Sequence, residues 1–176
     1  LSYDGGMAAV AINPVTRSDG EELIAANIDS RGYHSPWVQP FIDPAGFEDW
    51  FNGLSGEANV SLVAREVQSG AIVGVINLSQ IFRKGFQNAY LGYYGMAAFA
   101  GRGLMTEAVR LAARHAFDEI GLHRLEANIQ PGNLPSIALV KRIGFRKEGF
   151  SPRYLQISGV WCDHERWALL ADDRIL

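Results

Sequence analysis

Apolar and polar positions alternate along the 176 residues with two different periods, and the switches between them mark out the elements. MAAVAINPV (7–15) predicts a first strand that Pro14 ends. TRSDGEELIAANIDS then reads as a short helix with a polar start near Ser18 or Asp19. HSPWVQPFIDPAGFEDWFNGL (34–54), with three prolines and two tryptophans, predicts a loop and then a short amphipathic helix over 46–54. NVSLVAREV (59–67) and AIVGVINLSQI (71–81) flank a QSG turn and predict a hairpin, and the aromatic run NAYLGYYGM (88–96) adds a third strand. Over 104–120 the apolar positions Met105, Ala108, Val109, Ala112, Ala116 and Ile120 step by three and four, one buried face of a long helix that Gly121 terminates. HRLEANIQ (123–130) is a strand, PGNLPS a turn, and SIALVKRIGF a shorter helix stopped by Gly144. RYLQISGVWCDHERWALL closes the chain as a hairpin turning at Ser158 and Gly159. The order β-α-α-β-β-β-α-β-α-β-β predicts an α/β (α+β) domain with a mixed sheet flanked by helices.

Composition narrows the function classes. The formal net charge is −3, from 16 basic and 19 acidic side chains, which argues against a general nucleic-acid binder. One cysteine, Cys162, excludes an internal disulfide and fits a reducing, cytoplasmic setting. No uncharged apolar run approaches the ~20 residues that span a bilayer, and no secretory pattern is visible. The opening LSYDGG is left out of the fold reading, which places a single domain over 7–176. The four histidines, His34, His115, His123 and His164, show no metal-ligand spacing, so no metal is expected.

The glycine pair Gly101-Arg102-Gly103, directly ahead of the long helix, admits two readings. One is a tight turn. The other is a cradle of main-chain N–H groups for a phosphate, because a helix N-terminus has unpaired donors and a positive dipole end. Thr106 stands where a dinucleotide fingerprint needs its third glycine, and no Walker loop occurs in the chain. A phosphate here would rest on backbone donors, with no lysine at a Walker position.

YLGYYGMAAFAGRGLMTEAV followed by HRLEANIQPGNLPSIALVKRIGFRKEGF resembles the GNAT superfamily of N-acetyltransferases, most of all its ribosomal-protein-alanine (Rim-type) branch. The family motif Q/R-x-x-G-x-G/A is matched by Gly101, Arg102 and Gly103, while its first position is Ala98. A second signature is matched by Asn133, Ser136, Gly144-Phe145 and Glu148-Gly149. The resemblance covers about residues 7–170 and implies a mostly antiparallel sheet with a β-α-β-α core that binds acetyl-CoA as co-substrate.

The resemblance further implies coenzyme contacts at Tyr94, Gly95, Met96, Phe99, Gly101, Arg102, Gly103, Leu104, Met105, Asn133 and Ser136, with the amide near the end of the 88–96 strand facing the thioester oxygen. Ser136 is read either as a helix cap or as the acid that protonates the departing thiolate. Where the Rim-type branch can carry an acidic residue before Tyr154-Leu155, this chain has Arg153, and Glu126 is the next carboxylate available as a base. Trp37 and Phe41 are read as a wall for the acceptor or as ordinary core. The basic cluster Lys141, Arg142, Arg146 and Lys147 is read as a solvated face or as a neighbour of the coenzyme 3′-phosphate. The expected partner is a protein or peptide N-terminus, with a small amine as the alternative, and a homodimer is among the expected assemblies. A coenzyme-binding module without turnover is the reading outside the enzymes.

Overall fold

The computed structural model describes residues 8–173. Seven strands form one sheet in the order β1-β2-β3-β4-β5-β7-β6. They are β1 (Val10–Pro14), β2 (Val60–Glu66), β3 (Ile72–Phe82), β4 (Asn88–Gly95), β5 (Arg124–Ile129), β6 (Arg146–Ile157) and β7 (Val160–Leu170). Every neighbouring pair is antiparallel except β4 and β5. This is the mixed sheet that the pattern predicts, mostly antiparallel as the resemblance implies. Met7, expected to open the first strand, lies outside the described residues.

Helix α1 (Gly20–Asp29) follows a single 3₁₀ turn at Arg17–Asp19, where the Asp19 carboxylate accepts from the Thr16 N–H at 2.7 Å. A one-turn helix α2 (Arg31–His34) lies between the first predicted helix and the predicted loop and reaches the loop's first residue, His34. Helix α3 (Pro44–Asn52) starts two residues before the predicted segment, because the Asp43 carboxylate caps it by accepting from Gly46 N–H at 2.7 Å and Pro44 fits the first turn. Helix α4 (Leu104–Arg114) runs on into a wider π turn at His115–Glu119, so the predicted 104–120 helix changes its winding near its end. Its fully buried face holds Ala108, Val109, Ala112 and Ala116, joined by Leu104, Leu111 and Ala113. Helix α5 (Leu134–Ile143) begins earlier than the pattern predicts, since Asn133 rather than Ser136 is its cap.

β6 is longer than the sequence predicts. Proline within a strand ordinarily interrupts the pairing, and the chain absorbs Pro152 in a bulge between Ser151 and Leu155, where Arg153 has φ +46° and its N–H donates to the Asp163 carboxylate at 2.7 Å. The hairpin turn at Ser158 and Gly159 is as expected, both with positive φ.

Two apolar clusters lie on the sheet. The larger joins α4 and α5 to the sheet and packs Tyr93 at its margin. The smaller joins α1 and α3 to it and packs Tyr94. Neighbouring residues of one strand thus serve opposite faces, as period-2 alternation requires.

Candidate active site

The site originates in an interrupted pairing. β4 and β5 run parallel only from Asn88↔Arg124 to Tyr90↔Glu126. Beyond Tyr90 the two strands part, and a cavity of about 610 Å³ is lined by residues of both, together with α2, the α2–α3 loop, α5 and the last hairpin. Met96 N–H donates to Val73 O at 2.8 Å. By the alternation of an antiparallel ladder, Tyr94 then also spends its main-chain groups on β3, whereas Leu91, Tyr93 and Gly95 turn theirs toward the gap. Of the three residues expected at the strand end, Gly95 is therefore the one whose amide faces the opening.

Side chains hold this end of β4 in place. The His34 ring, buried to 4 % exposure, donates from Nε2 to Gly95 O at 2.8 Å and packs edge-on against Tyr94, with centroids 5.1 Å apart. Burial pulls the His34 imidazole below its ordinary pKa, so the ring is neutral with its proton on Nε2. Ser30 Oγ accepts from Ala97 N–H at 3.0 Å and fixes the turn that follows. Glycine at position 95 does not leave open space. A Cβ there would stand 2.8 Å from Met105 Cγ, so the α4 side chain already fills the gap.

Tyr93 and Ser136 form the second part of the site. The two hydroxyl oxygens are 2.7 Å apart, and the phenol also reaches Ser136 O at 3.2 Å. Burial pushes the Tyr93 phenol far above its ordinary pKa, so it keeps its proton. Asn133 Oδ1 accepts from Ser136 N–H at 3.3 Å. The cap is thus Asn133, and the Ser136 hydroxyl is left to the cavity and to Tyr93. Sequence reasoning missed Tyr93, although its alternation with Leu91 and Gly95 on the gap edge of the strand was the available signal.

At the other end of the splay, Gly101 and Gly103 adopt φ +73° and +77°, and a Cβ at either would meet nothing within 4 Å. The first intrahelical bond of α4 runs from Glu107 N–H to Gly103 O at 3.2 Å. The N–H groups of Leu104, Met105 and Thr106 precede it and have no acceptor within the helix, which makes an exposed anion cradle. Arg102 adds no free charge there, since its guanidinium pairs with Glu66 and lies 5.3 Å from the centre of the Phe99 ring.

The remaining expected residues divide. Trp37 and Phe41 both line the cavity, and Phe41 also packs against Trp50 at 5.0 Å and edge-on against Phe47 at 5.4 Å between ring centres, so it serves core and wall together. Glu126 lies outside the cavity lining and accepts from Arg124 Nε at 2.8 Å, within a network that includes Glu148. Of the basic cluster, Arg146 pairs with Asp173, Lys147 with Glu165 at 2.6 Å, and Lys141 sits 5.4 Å from the Trp167 ring centre. His34 and His164 line the cavity, a role that the metal-spacing test could not reveal. Among the described residues no group of three His, Cys, Asp or Glu side chains could hold a metal, and no helix is long and apolar enough to cross a membrane.

This geometry supplies an anion cradle, a strand edge for an extended ligand, and a half-buried hydroxyl pair beside a largely apolar chamber. Comparison with known proteins finds the same plan. The chain is 44% identical over 102 residues to the probable N-acetyltransferase YjcK of Bacillus subtilis, covering 58% of this chain and 56% of that protein. It is 42% identical over 102 residues to the [ribosomal protein uS5]-alanine N-acetyltransferase of Escherichia coli, covering 58% and 53%. The chain thus spans about half the length of the curated relatives it matches. Among solved structures, Mycobacterium smegmatis RimJ in complex with CoA-disulfide superposes with a TM-score of 0.85 at 27% identity, covering 93% of this chain and 82% of that one. The fold is shared at 20% identity by the spermidine N-acetyltransferase of Vibrio cholerae in complex with CoA and spermine, with a TM-score of 0.79 over 93% of this chain and 96% of that one. Residues 10–146 match the acetyltransferase (GNAT) domain, and the chain belongs to that family.

Proposed function

We propose that the protein transfers the acetyl group of acetyl-CoA to a primary amine, and that the acceptor is the N-terminal α-amine of a polypeptide. The Gly101–Gly103 cradle receives the pyrophosphate on main-chain N–H groups, and the pantetheine arm enters the β4–β5 gap along the free edge of β4. Asn133 stands beside this path, and the Gly95 amide is placed to meet the charge that develops on the thioester oxygen. When the C–S bond breaks, the sulfur takes its proton from the Ser136 hydroxyl, which Tyr93 holds in line. The relatives' N-acetyltransferase activities support the reaction class, and the CoA-bound relative supports the co-substrate.

The observation that carries the acceptor assignment is the charge of the cavity. Among the described residues its lining contains no Asp, Glu, Lys or Arg, and its acceptor side is built from Tyr33, Trp37, Phe41 and Trp50. A polyamine would bring further ammonium groups into this chamber with no carboxylate to receive them, at a cost of several kcal/mol for each one desolvated. A peptide N-terminus brings one amine and an uncharged first side chain. Its reference pKa of about 7.7–8.0, against about 10.4 for lysine, leaves far more of it as free base at neutral pH.

Thiol release from acetyl-CoA, with mass detection of products, tests both statements. The panel holds short peptides with free small N-terminal residues, N-terminally blocked peptides with free lysines, and spermidine. The free-N-terminus set is expected to be acetylated fastest. Faster turnover of spermidine or of the blocked set overturns the acceptor assignment. Coenzyme binding with no turnover of any acceptor leaves a binding module.

A further inference from the structure

Among the described residues the cavity lining holds five titratable side chains: Tyr33, His34, Tyr93, Tyr94 and His164. Acetyl transfer needs a group that takes a proton from the attacking amine. Tyrosines ionise near pH ~10 and are protonated at neutral pH, and burial raises Tyr93 and Tyr94 further. That leaves the two imidazoles, and their tautomers set them apart. His34 spends its Nε2 proton on Gly95 O, and its Nδ1 lone pair is sealed with no partner, out of reach of an acceptor.

His164 is arranged the other way round. It lies on β7 one residue before Glu165, which pairs with Ile129 at the end of β5, so it stands where the strand gap reaches the last hairpin. The residue is 2 % exposed and lines the cavity. Nδ1 lies 2.9 Å from Cys162 O, and a carbonyl only accepts, so the proton sits on Nδ1 and the lone pair on Nε2. Among the described residues nothing bonds to Nε2, and it is not one of the sealed polar atoms, so its lone pair is the free acceptor of a ring that lines the cavity.

We propose that His164 Nε2 is the base that accepts the proton of the attacking amine. The inference rests on the acetyltransferase reading above. The amine nitrogen forms the C–N bond, the C–S bond breaks, one amine proton passes to His164 Nε2, and the thiolate takes the Ser136 proton. The imidazolium then returns its proton to solvent and the hydroxyl pair regains one from it. The net products are the amide and free coenzyme A. Charges around the ring do not compete for this role. Tyr154 packs at 6.3 Å between ring centres, Asp163 accepts from Arg153 N–H, and Glu165 is paired with Lys147.

The test compares His164→Asn with the unaltered protein, each with the acceptor it turns over best. Asparagine keeps an N–H for Cys162 O and lacks the base. The expected result is a fall in kcat of about 10²-fold, the lower range for general base catalysis. Acetyl-CoA affinity by calorimetry and the melting temperature should stay unchanged. Activity of the variant should rise with pH as the acceptor amine deprotonates unaided. A kcat within threefold of the unaltered protein overturns the proposal. Should the asparagine variant melt early, His164→Ala with added imidazole decides: restored turnover supports the role, and no restoration overturns it. If the unaltered protein acetylates nothing on the panel, the acetyltransferase reading itself falls, which is a different result from equal turnover in the two proteins.

Discussion

The Tyr93–Ser136 pair makes a claim that a double-mutant cycle can break. The two hydroxyls share a 2.7 Å hydrogen bond at the cavity wall. If Ser136 delivers the proton and Tyr93 only aims it, Ser136→Ala removes the donor and costs about 10²-fold in kcat, or ~2.7 kcal/mol of barrier. Tyr93→Phe leaves the donor and removes its alignment, so about tenfold is expected, or ~1.4 kcal/mol. The double variant should then be no slower than Ser136→Ala alone, because alignment of an absent group costs nothing. Stability gives the control. Ser136→Ala loses one hydrogen bond and Tyr93→Phe two, each of net value ~0.5–1.5 kcal/mol, too little to unfold an ordinary domain. The assays are steady-state thiol release under saturating acetyl-CoA, calorimetric coenzyme affinity, and chemical denaturation for all four proteins. Losses that multiply in the double variant refute the shared proton path, and full turnover by Ser136→Ala returns the serine to a structural role.

Two further variants probe the supports of the site. Gly103→Val forces a β-branched residue to φ +77°, with an expected loss of about 1–2 kcal/mol in stability and at least a tenfold rise in the acetyl-CoA dissociation constant; an unchanged constant in the folded variant removes the cradle assignment. His34 is held neutral by burial below its ordinary value of 6.5, so below that pH the unfolded chain binds a proton that the native one refuses. Stability should be fully present above pH ~6.5 and fall as the pH drops toward the depressed value. His34→Gln should flatten this slope, and equal slopes of melting temperature between pH ~7.5 and ~5.5 for both proteins refute the assignment.

Most of the fold was legible in the sequence because its elements bury one face each. The 3–4 stepping of Ala108, Val109, Ala112 and Ala116 has one solution, a helix on a sheet, and those four side chains are fully buried. Boundaries failed where a side chain acts on a backbone several residues away. Asp43 and Asn133 start their helices by capping, and Asp163 stabilises the bulge that lets β6 pass Pro152. The site was legible only in its local half. Gly101 to Gly103 is contiguous, and the need for positive φ can be read from glycine itself. The chemistry of the other half comes from residues far apart in the chain: Tyr93 meets Ser136 and His34 meets Gly95, 43 and 61 positions away. Neither contact leaves a spacing rule, because each depends on β4 leaving β5 after Tyr90. The packing under that end of β4 is within reach of the sequence. Gly74 and Gly95 face each other across β3 and β4, and Met105 fills the space their missing side chains leave. A helix can therefore press close under the end of β4, whose unpaired edge faces the gap left by β5.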